Sequence, residues 1–346
     1  MRASATVRIF SIVILSLITF AYSAAAKSNA EILAERAVAR FARGDVEGAS
    51  KDFADAIESD SRCVAAYLGR GAVRLRSGDF EGALRDYTRV IELNPTLSVA
   101  YASRGAILLL KGDYEGSIGD YTKVVSLEPK NTAGWIARAS ARCLKHDLTG
   151  AAADCKKALT LDPRDTGALC ALALVRSENR NLEGALEACD MALSINPNDS
   201  RTYAIRGRIR GELGDWNGEI TDTNRAIELY PGNSEAYESR GYAEYRRGNL
   251  DNSLKDSNKA IELNPRSGAA YNTLGLIAEK RGLLEGALAN YTRAIQLAPW
   301  DEAAYINRGV LRNRLKDYAG AREDFEKAVE EGPRNSDAYA NRGYVY

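Results

Sequence analysis

Residues 64–97 read VAAYLGRGAVRLRSGDFEGALRDYTRVIELNPTL, and this 34-residue stretch recurs with substitutions along most of the chain. Its first half has a stripe of apolar or small residues at helical spacing: Tyr67, Gly71 and Leu75. Its second half has another such stripe: Ala83, Tyr87 and Val90. Gly78 fits a left-handed helix end, Asp79 fits the N-cap of a second helix, and Pro95 ends that helix. The stretch therefore predicts two helices joined by a tight turn.

The prolines show the period of the repeat. All eight prolines lie 34 residues apart: Pro95, Pro129, Pro163, Pro197, Pro231, Pro265, Pro299 and Pro333. With proline at position 32, the chain divides into nine units and a partial tenth: 30–63, 64–97, 98–131, 132–165, 166–199, 200–233, 234–267, 268–301, 302–335 and 336–346. One helix pair cannot bury its apolar face alone, whereas stacked neighbours can. The sequence predicts one array from residue 27 to residue 346 without a linker.

The pattern resembles the tetratricopeptide repeat, whose consensus has aromatic residues at positions 4 and 24, Gly at 8, Ala at 20 and 27, and Pro at 32. The resemblance implies an all-α fold, a right-handed superhelical α-solenoid of antiparallel helix pairs. In that family the first helix of each pair lines a concave groove that binds peptides or partner helices. The chain departs from the pattern at six places: Ala139 and Ala173 at position 8, Glu219 at position 20, and His146, Arg180 and Lys316 at the turn glycine. A carboxylate in the place of Glu219 requires a partner or a local shift in packing.

The first 26 residues are typical of a signal peptide. Arg2 and Arg8 give a positive start, residues 9–22 are apolar, and Ala24–Ala26 form a small-residue cleavage site. Cleavage there makes Lys27 the first residue of a mature chain without a membrane span, in the periplasm or secreted. Cleavage after Ser23 and an uncleaved N-terminal membrane anchor are the alternatives.

Composition narrows the function. The 47 basic and 47 acidic residues give no net charge, which disfavours nucleic-acid binding. The only histidine, His146, lies at a predicted turn, and no phosphate-binding loop, dinucleotide-binding motif or nucleophile elbow is present. We expect a protein that is not an enzyme and that needs no cofactor or metal. An enzyme with an unrecognised site near Glu219 or His146 is the alternative.

Four of the five cysteines lie in two adjacent units: Cys143, Cys155, Cys170 and Cys189. The chain has no Cys-x-x-Cys pair, which disfavours a zinc site. Small buried thiols are the favoured interpretation, and disulfides remain open in an exported protein.

Position 7 is usually Arg and position 23 usually Asp. Seven units contain both residues: Arg36 with Asp52, Arg70 with Asp86, Arg104 with Asp120, Arg138 with Asp154, Arg206 with Asp222, Arg240 with Asp256, and Arg308 with Asp324. The two exceptions change together, Leu172 with Ala188 and Leu274 with Asn290. This covariation predicts a contact between the two helices of one unit; two solvated surface charges are the alternative.

By the resemblance, positions 2, 5, 9, 12 and 13 face the groove. An apolar half is then expected to include Leu68, Leu75, Leu109 and Ile136, and a polar half to include Arg208, Tyr242, Tyr245, Arg246, Asn272 and Arg314. We expect a protein or peptide partner, with Tyr242, Tyr245 and Arg246 as anchors because such residues dominate binding hot spots. Ordinary surface variation, with core contacts misassigned to the groove, is the alternative. No lysine occupies position 5, which disfavours the chaperone-tail type of ligand.

The last segment, Ser336–Tyr346, begins a helix and presents several aromatic residues without a polar final helix. Repeat arrays usually need such a cap. We therefore expect this end to dock onto a partner or a second copy, or the chain to be a fragment. A structural solenoid that self-assembles through this end is an alternative function.

Overall fold

A computed structural model of the chain describes residues 28–332 and 335–345, and of residues 344 and 345 the backbone alone. Within these ranges the chain is helical and contains no strand. Residues 28–179 form one group of helices: α1 (Asn29–Ala42), α2 (Val46–Ser59), α3 (Val64–Ser77), α4 (Phe80–Leu93), α5 (Ser98–Leu110), α6 (Tyr114–Leu127), α7 (Thr132–Leu144), α8 (Leu148–Leu161) and α9 (Thr166–Glu178). The predicted leader, residues 1–26, lies outside the described residues.

The second group begins at Arg180. Its helices are α10 (Leu182–Ile195), α11 (Ser200–Glu212), α12 (Trp216–Leu229), α13 (Ser234–Arg246), α14 (Leu250–Leu263), α15 (Gly268–Lys280), α16 (Leu284–Leu297), α17 (Glu302–Arg314), α18 (Tyr318–Glu331) and α19 (Ser336–Val345). In each group a helix packs against the next helix, and several first helices of units also contact the first helix of the following unit. Each group is therefore a stretch of all-α solenoid built from helix pairs, as the sequence predicts.

Residues 64–97 show how one pair forms. Gly78 ends α3 with φ of 84°, in the left-handed region that glycine tolerates best. The Asp79 side chain then accepts a hydrogen bond of 2.9 Å from the amide of Gly82 and caps α4. The Tyr87 ring is fully buried against Gly71, where a Cβ atom would lie 2.8 Å from the ring. Glycine at position 8 therefore sets the close approach of the two helices.

The turn keeps the same geometry where glycine is replaced. His146 and Lys316 have φ of 63° and 68°, both in the left-handed region. A residue with a Cβ atom is strained in this region, because the Cβ lies too close to the following carbonyl oxygen. The neighbouring helices therefore hold the turn against the preference of the residue that occupies it.

All seven Arg–Asp pairs are in contact, and in each the arginine donates from Nε and Nη2 to the two carboxylate oxygens, over distances of 2.6–3.0 Å. The aspartate side chains are at most 6% exposed, whereas most of the arginines stay partly exposed. The contact joins the first and second helix of one unit. Such bidentate pairs are strong because both hydrogen bonds are charge-assisted.

Two further contacts of this network did not follow from the sequence pattern. A second arginine, at position 11, also reaches the buried aspartate in several units; Arg74, for example, donates to Asp86 over 2.7 Å. In five units the position 7 arginine also donates to a polar residue of the preceding unit, as Arg104 does to Thr88 over 3.2 Å. In these units the arginine links neighbouring units as well as the helices of its own unit.

Candidate functional site

The apolar half of the predicted groove is mostly core. Leu68 and Leu75 are 5% and 3% exposed and belong to the largest buried cluster of the first group. Leu109 and Ile136 are partly buried against two further core clusters. Leu68 and Leu75 therefore offer almost no surface to a partner, because packing between successive units covers them.

The polar half includes a cluster of four side chains, Trp216, Tyr242, Tyr245 and Arg246, which we call the Tyr242 cluster. The Trp216 and Tyr242 rings meet edge to face with centroids 6.0 Å apart, and the Tyr242 and Tyr245 rings stack at 6.3 Å. The Arg246 guanidinium lies 4.4 Å from the centre of the Trp216 ring and donates to the Tyr242 hydroxyl over 3.0 Å. Helices α12 and α13 supply these residues, and Tyr242 and Arg246 are exposed. The cluster thus fixes a guanidinium at the surface by stacking.

The other polar candidates have partners within the protein. Arg314 forms an ion pair of 3.0 Å with Glu279, which also accepts a hydrogen bond of 3.0 Å from the buried Tyr291 hydroxyl. Asn272 accepts a hydrogen bond of 3.0 Å from Asn307. The charge of Arg314 is therefore largely neutralised, whereas Arg208, which is half-buried, has no ion-pair partner within the described residues.

A cavity of about 530 Å³ adjoins the Tyr242 cluster. Its walls come from α11, α12, α13 and the turn after α11: Arg208, Gly211, Glu212, Leu213, Gly214, Trp216, Glu219, Tyr242 and Arg246. All of these lie in the second group of helices.

Glu219 is the buried carboxyl group of this cavity. The residue is 3% exposed, and its Oε2 atom has no hydrogen-bond partner within the described residues. Burial raises the pKa of Glu219 to about 8, the nearby Glu212 adds to the rise, and Arg208 and Arg246 oppose it. Its carboxyl group is therefore mostly protonated at neutral pH.

Gly211 is what makes room for Glu219. A Cβ atom at Gly211, on the facing helix α11, would overlap the Glu219 carboxyl group. The departure at position 20 is thus matched by a glycine at position 12 of the same unit.

Comparison with known proteins identifies the repeat. A family model described as tetratricopeptide repeat matches residues 34–98, 70–133, 258–302 and 273–336, and a second model of the same description matches 234–267. The chain belongs to the tetratricopeptide repeat family. No curated protein matches the chain.

Two solved structures show the same tetratricopeptide fold. A tetratricopeptide repeat protein from Parabacteroides merdae is 18% identical with a TM-score of 0.66, over 72% of this chain and 98% of that chain. The crystal structure of the APC/C hetero-tetramer Cut9–Hcn1 contains a chain that is 14% identical with a TM-score of 0.62, over 91% of this chain and 76% of that chain. At these identities the likeness shows the fold alone.

The chemistry of the tetratricopeptide array is limited. Within the described residues no group of His, Cys, Asp and Glu could hold a metal ion. None of the five cysteines is in a disulfide, and burial raises the pKa of Cys155 to about 12, so this thiol is not a reactive thiolate. The walls of the Glu219 cavity contain no Ser, Thr, Cys, Lys or His, and their ionisable groups are those of Arg208, Glu212, Glu219, Tyr242 and Arg246. Over residues 28–332 and 335–345, no helix is long and apolar enough to cross a membrane.

Some of these features could not be found from the repeat pattern. Trp216 lies at position 17, which the resemblance does not assign to the groove, yet it completes the Tyr242 cluster. The sequence did contain a sign of the cavity at Gly211, since larger side chains usually occupy position 12.

At the C-terminal end, Tyr339 of α19 is 44% exposed and Ala338 is buried. The side chains beyond Gly343 in the predicted docking segment lie outside the described residues.

Proposed function

We propose that the protein is a non-enzymatic, exported tetratricopeptide scaffold that binds a protein or peptide through the Tyr242 cluster. The observation that carries the proposal is an exposed guanidinium, Arg246, which lies 4.4 Å and 5.7 Å from the centres of the Trp216 and Tyr242 rings and has no ion-pair partner in the described residues. Tyr, Trp and Arg are the residues that contribute most to binding in protein interfaces. A stacked arginine also loses little side-chain entropy when a partner binds.

The surrounding surface supports a partner of mixed polarity. Tyr242 and Arg246 are exposed, Tyr245 is partly buried beside them, and burial together with the Glu279 charge raises the pKa of Tyr245. Tyr245 therefore stays a neutral phenol that can donate a hydrogen bond. An amphipathic segment can place an apolar side chain on the rings and a polar group on Arg246.

Affinity capture tests the binding site. The purified protein is compared with a Tyr242→Ala/Tyr245→Ala/Arg246→Ala variant, after circular dichroism shows equal helicity. A matched control removes the same residue types from exposed places elsewhere: Tyr230→Ala, Tyr318→Ala and Arg322→Ala. We expect the protein and the control to capture the same partner and the cluster variant to lose it. Equal capture by all three would place binding elsewhere.

Export is tested separately, on the protein from fractionated source cells. The expectation rests on Arg2, Arg8, the apolar residues 9–22 and Ala24–Ala26. N-terminal sequencing is expected to begin at Lys27, or at Ala24 if cleavage follows Ser23. A cytosolic protein that retains residues 1–26 would contradict export, and a membrane-bound one would support the anchor.

A further inference from the structure

The Glu219 cavity contains two arginines that differ from their neighbours. Arg206 and Arg210, on the same helix α11, form ion pairs of 2.7 Å and 2.9 Å with the buried Asp222. Arg208 and Arg246, which line the cavity, have no ion-pair partner within the described residues. The repeat therefore neutralises its structural arginines and leaves these two facing one cavity.

The second feature is the buried acid that lines the same cavity, Glu219. The Glu219 carboxyl group is nine-tenths or more buried, lines the cavity and has an Oε2 atom without a hydrogen-bond partner. A buried polar group without a partner costs free energy, which a ligand that supplies the missing hydrogen bond recovers. Protonated Glu219 can donate its O–H hydrogen to an acceptor on such a ligand.

The third feature favours an anionic over a cationic ligand. An aromatic cavity often binds an ammonium group over a ring face. Here the Arg246 guanidinium already lies over the Trp216 ring at 4.4 Å and is hydrogen-bonded to Tyr242. A guanidinium fixed in this way presents its remaining N–H groups to an anion.

We propose that this cavity binds the oxyanion of an organic ligand, a carboxylate or a phosphate monoester, through Arg208, Arg246 and the buried carboxyl group of Glu219. The proposal deepens the proposed function and rests on it, because Arg246 and Tyr242 belong to both sites. A cavity of about 530 Å³ is of the size that takes small molecules or one side chain of a partner.

Binding is coupled to one proton. In the complex the Glu219 O–H group donates to one ligand oxygen, and no covalent bond forms or breaks. When Glu219 releases its proton to solvent, its carboxylate faces the ligand oxyanion, and repulsion weakens the complex. The other charged groups around Glu219 are Glu212 and Arg208 on α11 and Arg246 on α13, and Tyr242 contributes a phenol. Of the acids among them, Glu219 is the buried one.

Calorimetric titration of the full chain tests this. The probes are N-acetylphenylalanine, its neutral amide, and phenyl phosphate, each measured about two pH units below and above the Glu219 pKa of about 8. We expect the acid or the phosphate to bind at the lower pH and the amide not to bind. Affinity is expected to fall roughly tenfold per pH unit above the pKa, because the protonated form is the one that binds.

Variants separate the roles of the side chains. Arg208→Ala and Arg246→Ala are expected to weaken binding at least about tenfold each, the loss of one charge-assisted contact. Glu219→Gln keeps a donor and removes the titration, so it is expected to retain binding and lose the pH dependence. Arg225→Ala is the matched control, since Arg225 is exposed and pairs with Glu228 away from the cavity. Binding of the amide as tightly as the acid, a pH dependence that survives in Glu219→Gln, or no binding at millimolar concentration would overturn the proposal.

Competition separates this proposal from the proposed function. If the captured partner supplies the oxyanion, excess N-acetylphenylalanine or phenyl phosphate displaces it, and the more effective probe identifies the oxyanion. If partner capture succeeds and neither probe binds in the calorimeter, the scaffold function stands and the oxyanion site is wrong. If a probe binds and no partner is captured, the oxyanion site stands alone, as one for a small molecule.

Discussion

Asp86 offers the sharpest test of the Arg–Asp network. Its carboxylate is 2% exposed and accepts hydrogen bonds of 3.0 and 2.7 Å from Arg70 and of 2.7 Å from Arg74. Asp86→Ala removes all three bonds and leaves two guanidinium groups without their buried partner. We expect the substitution to destabilise the helix pair α3–α4.

The magnitude follows from burial. Breaking a buried ion pair from one side costs about 3–5 kcal/mol. The side chains of Arg70 and Arg74 are 19% and 29% exposed, so both still contact water after Asp86 is lost. The cost is therefore expected at the low end, about 3 kcal/mol. Arg70→Leu is expected to cost about 2 kcal/mol, because Asp86 keeps its bond to Arg74.

The double variant measures the coupling. If Arg70 and Asp86 act together, Asp86→Ala/Arg70→Leu costs about 3 kcal/mol rather than the sum of about 5, since the second change removes a stranded charge. Urea unfolding gives the total, and native-state hydrogen exchange of α3 and α4 gives the local value. A cost of about 3 kcal/mol corresponds to a roughly hundredfold increase in local opening. Additive effects of the two substitutions would refute the pairing.

Comparing Asp120 with Asp86 measures what the second arginine contributes, because the Asp120 carboxylate accepts one hydrogen bond fewer. Leu108 replaces the second arginine in its unit, and within the described residues the Asp120 carboxylate accepts hydrogen bonds from Arg104 alone. With one charge-assisted bond fewer, Asp120→Ala is expected to cost about 1 kcal/mol less than Asp86→Ala. Equal costs would mean that the second arginine contributes nothing.

The remaining predictions concern exposure, backbone strain and pH. Arg206 forms ion pairs with Asp190, which is 62% exposed, and with Asp222, which is 3% exposed. In urea unfolding, Asp190→Ala is therefore expected to cost less than about 1 kcal/mol and Asp222→Ala about 3 kcal/mol. Similar costs would contradict the role of burial. His146 has a φ of 63°, and His146→Gly removes the strain of a side chain in this region. The substitution is expected to add about 0.5–1 kcal/mol of stability, measured as a higher Tm. An unchanged or lower Tm would show that the turn is not strained. Glu219 has a pKa of about 8 in the native state and about 4.5 in the unfolded state, so between these values the native state holds one proton more. The free energy of unfolding is therefore expected to fall, as the pH rises from 4.5 to 8, by up to about 1.4 kcal/mol per pH unit. Glu219→Gln should remove this slope, measured by unfolding across that pH range.

The helix pairs and the Arg–Asp contacts could be predicted because each depends on positions inside one unit. A 34-residue period fixes which residues face each other within a pair, and the joint change to Leu172 and Ala188 marks two positions that depend on each other. The exposure of Leu68 and Leu75 could not be predicted in this way. Whether a position on the first helix faces water depends on how deeply the next unit packs against it, and the pattern of a single unit carries no information on that distance.

The candidate site, like the burial of Leu68 and Leu75, depends on how neighbouring helices pack. Units with the same residues at their packed positions pack in the same way, so a site found in one unit depends on residues that distinguish that unit. Unit 200–233 differs twice at facing positions, with Glu219 where a small residue is usual and Gly211 where a larger one is usual. The glycine leaves room for the longer side chain, but the exchange buries a carboxyl group that has no hydrogen-bond partner for Oε2 in the described residues. An array selected for stability alone would keep alanine at position 20, because burying an unsatisfied acid costs free energy. A ligand that accepts a hydrogen bond from Glu219 would offset this cost. Calorimetric titration of the Glu219→Gln variant at the two pH values therefore tests the site directly.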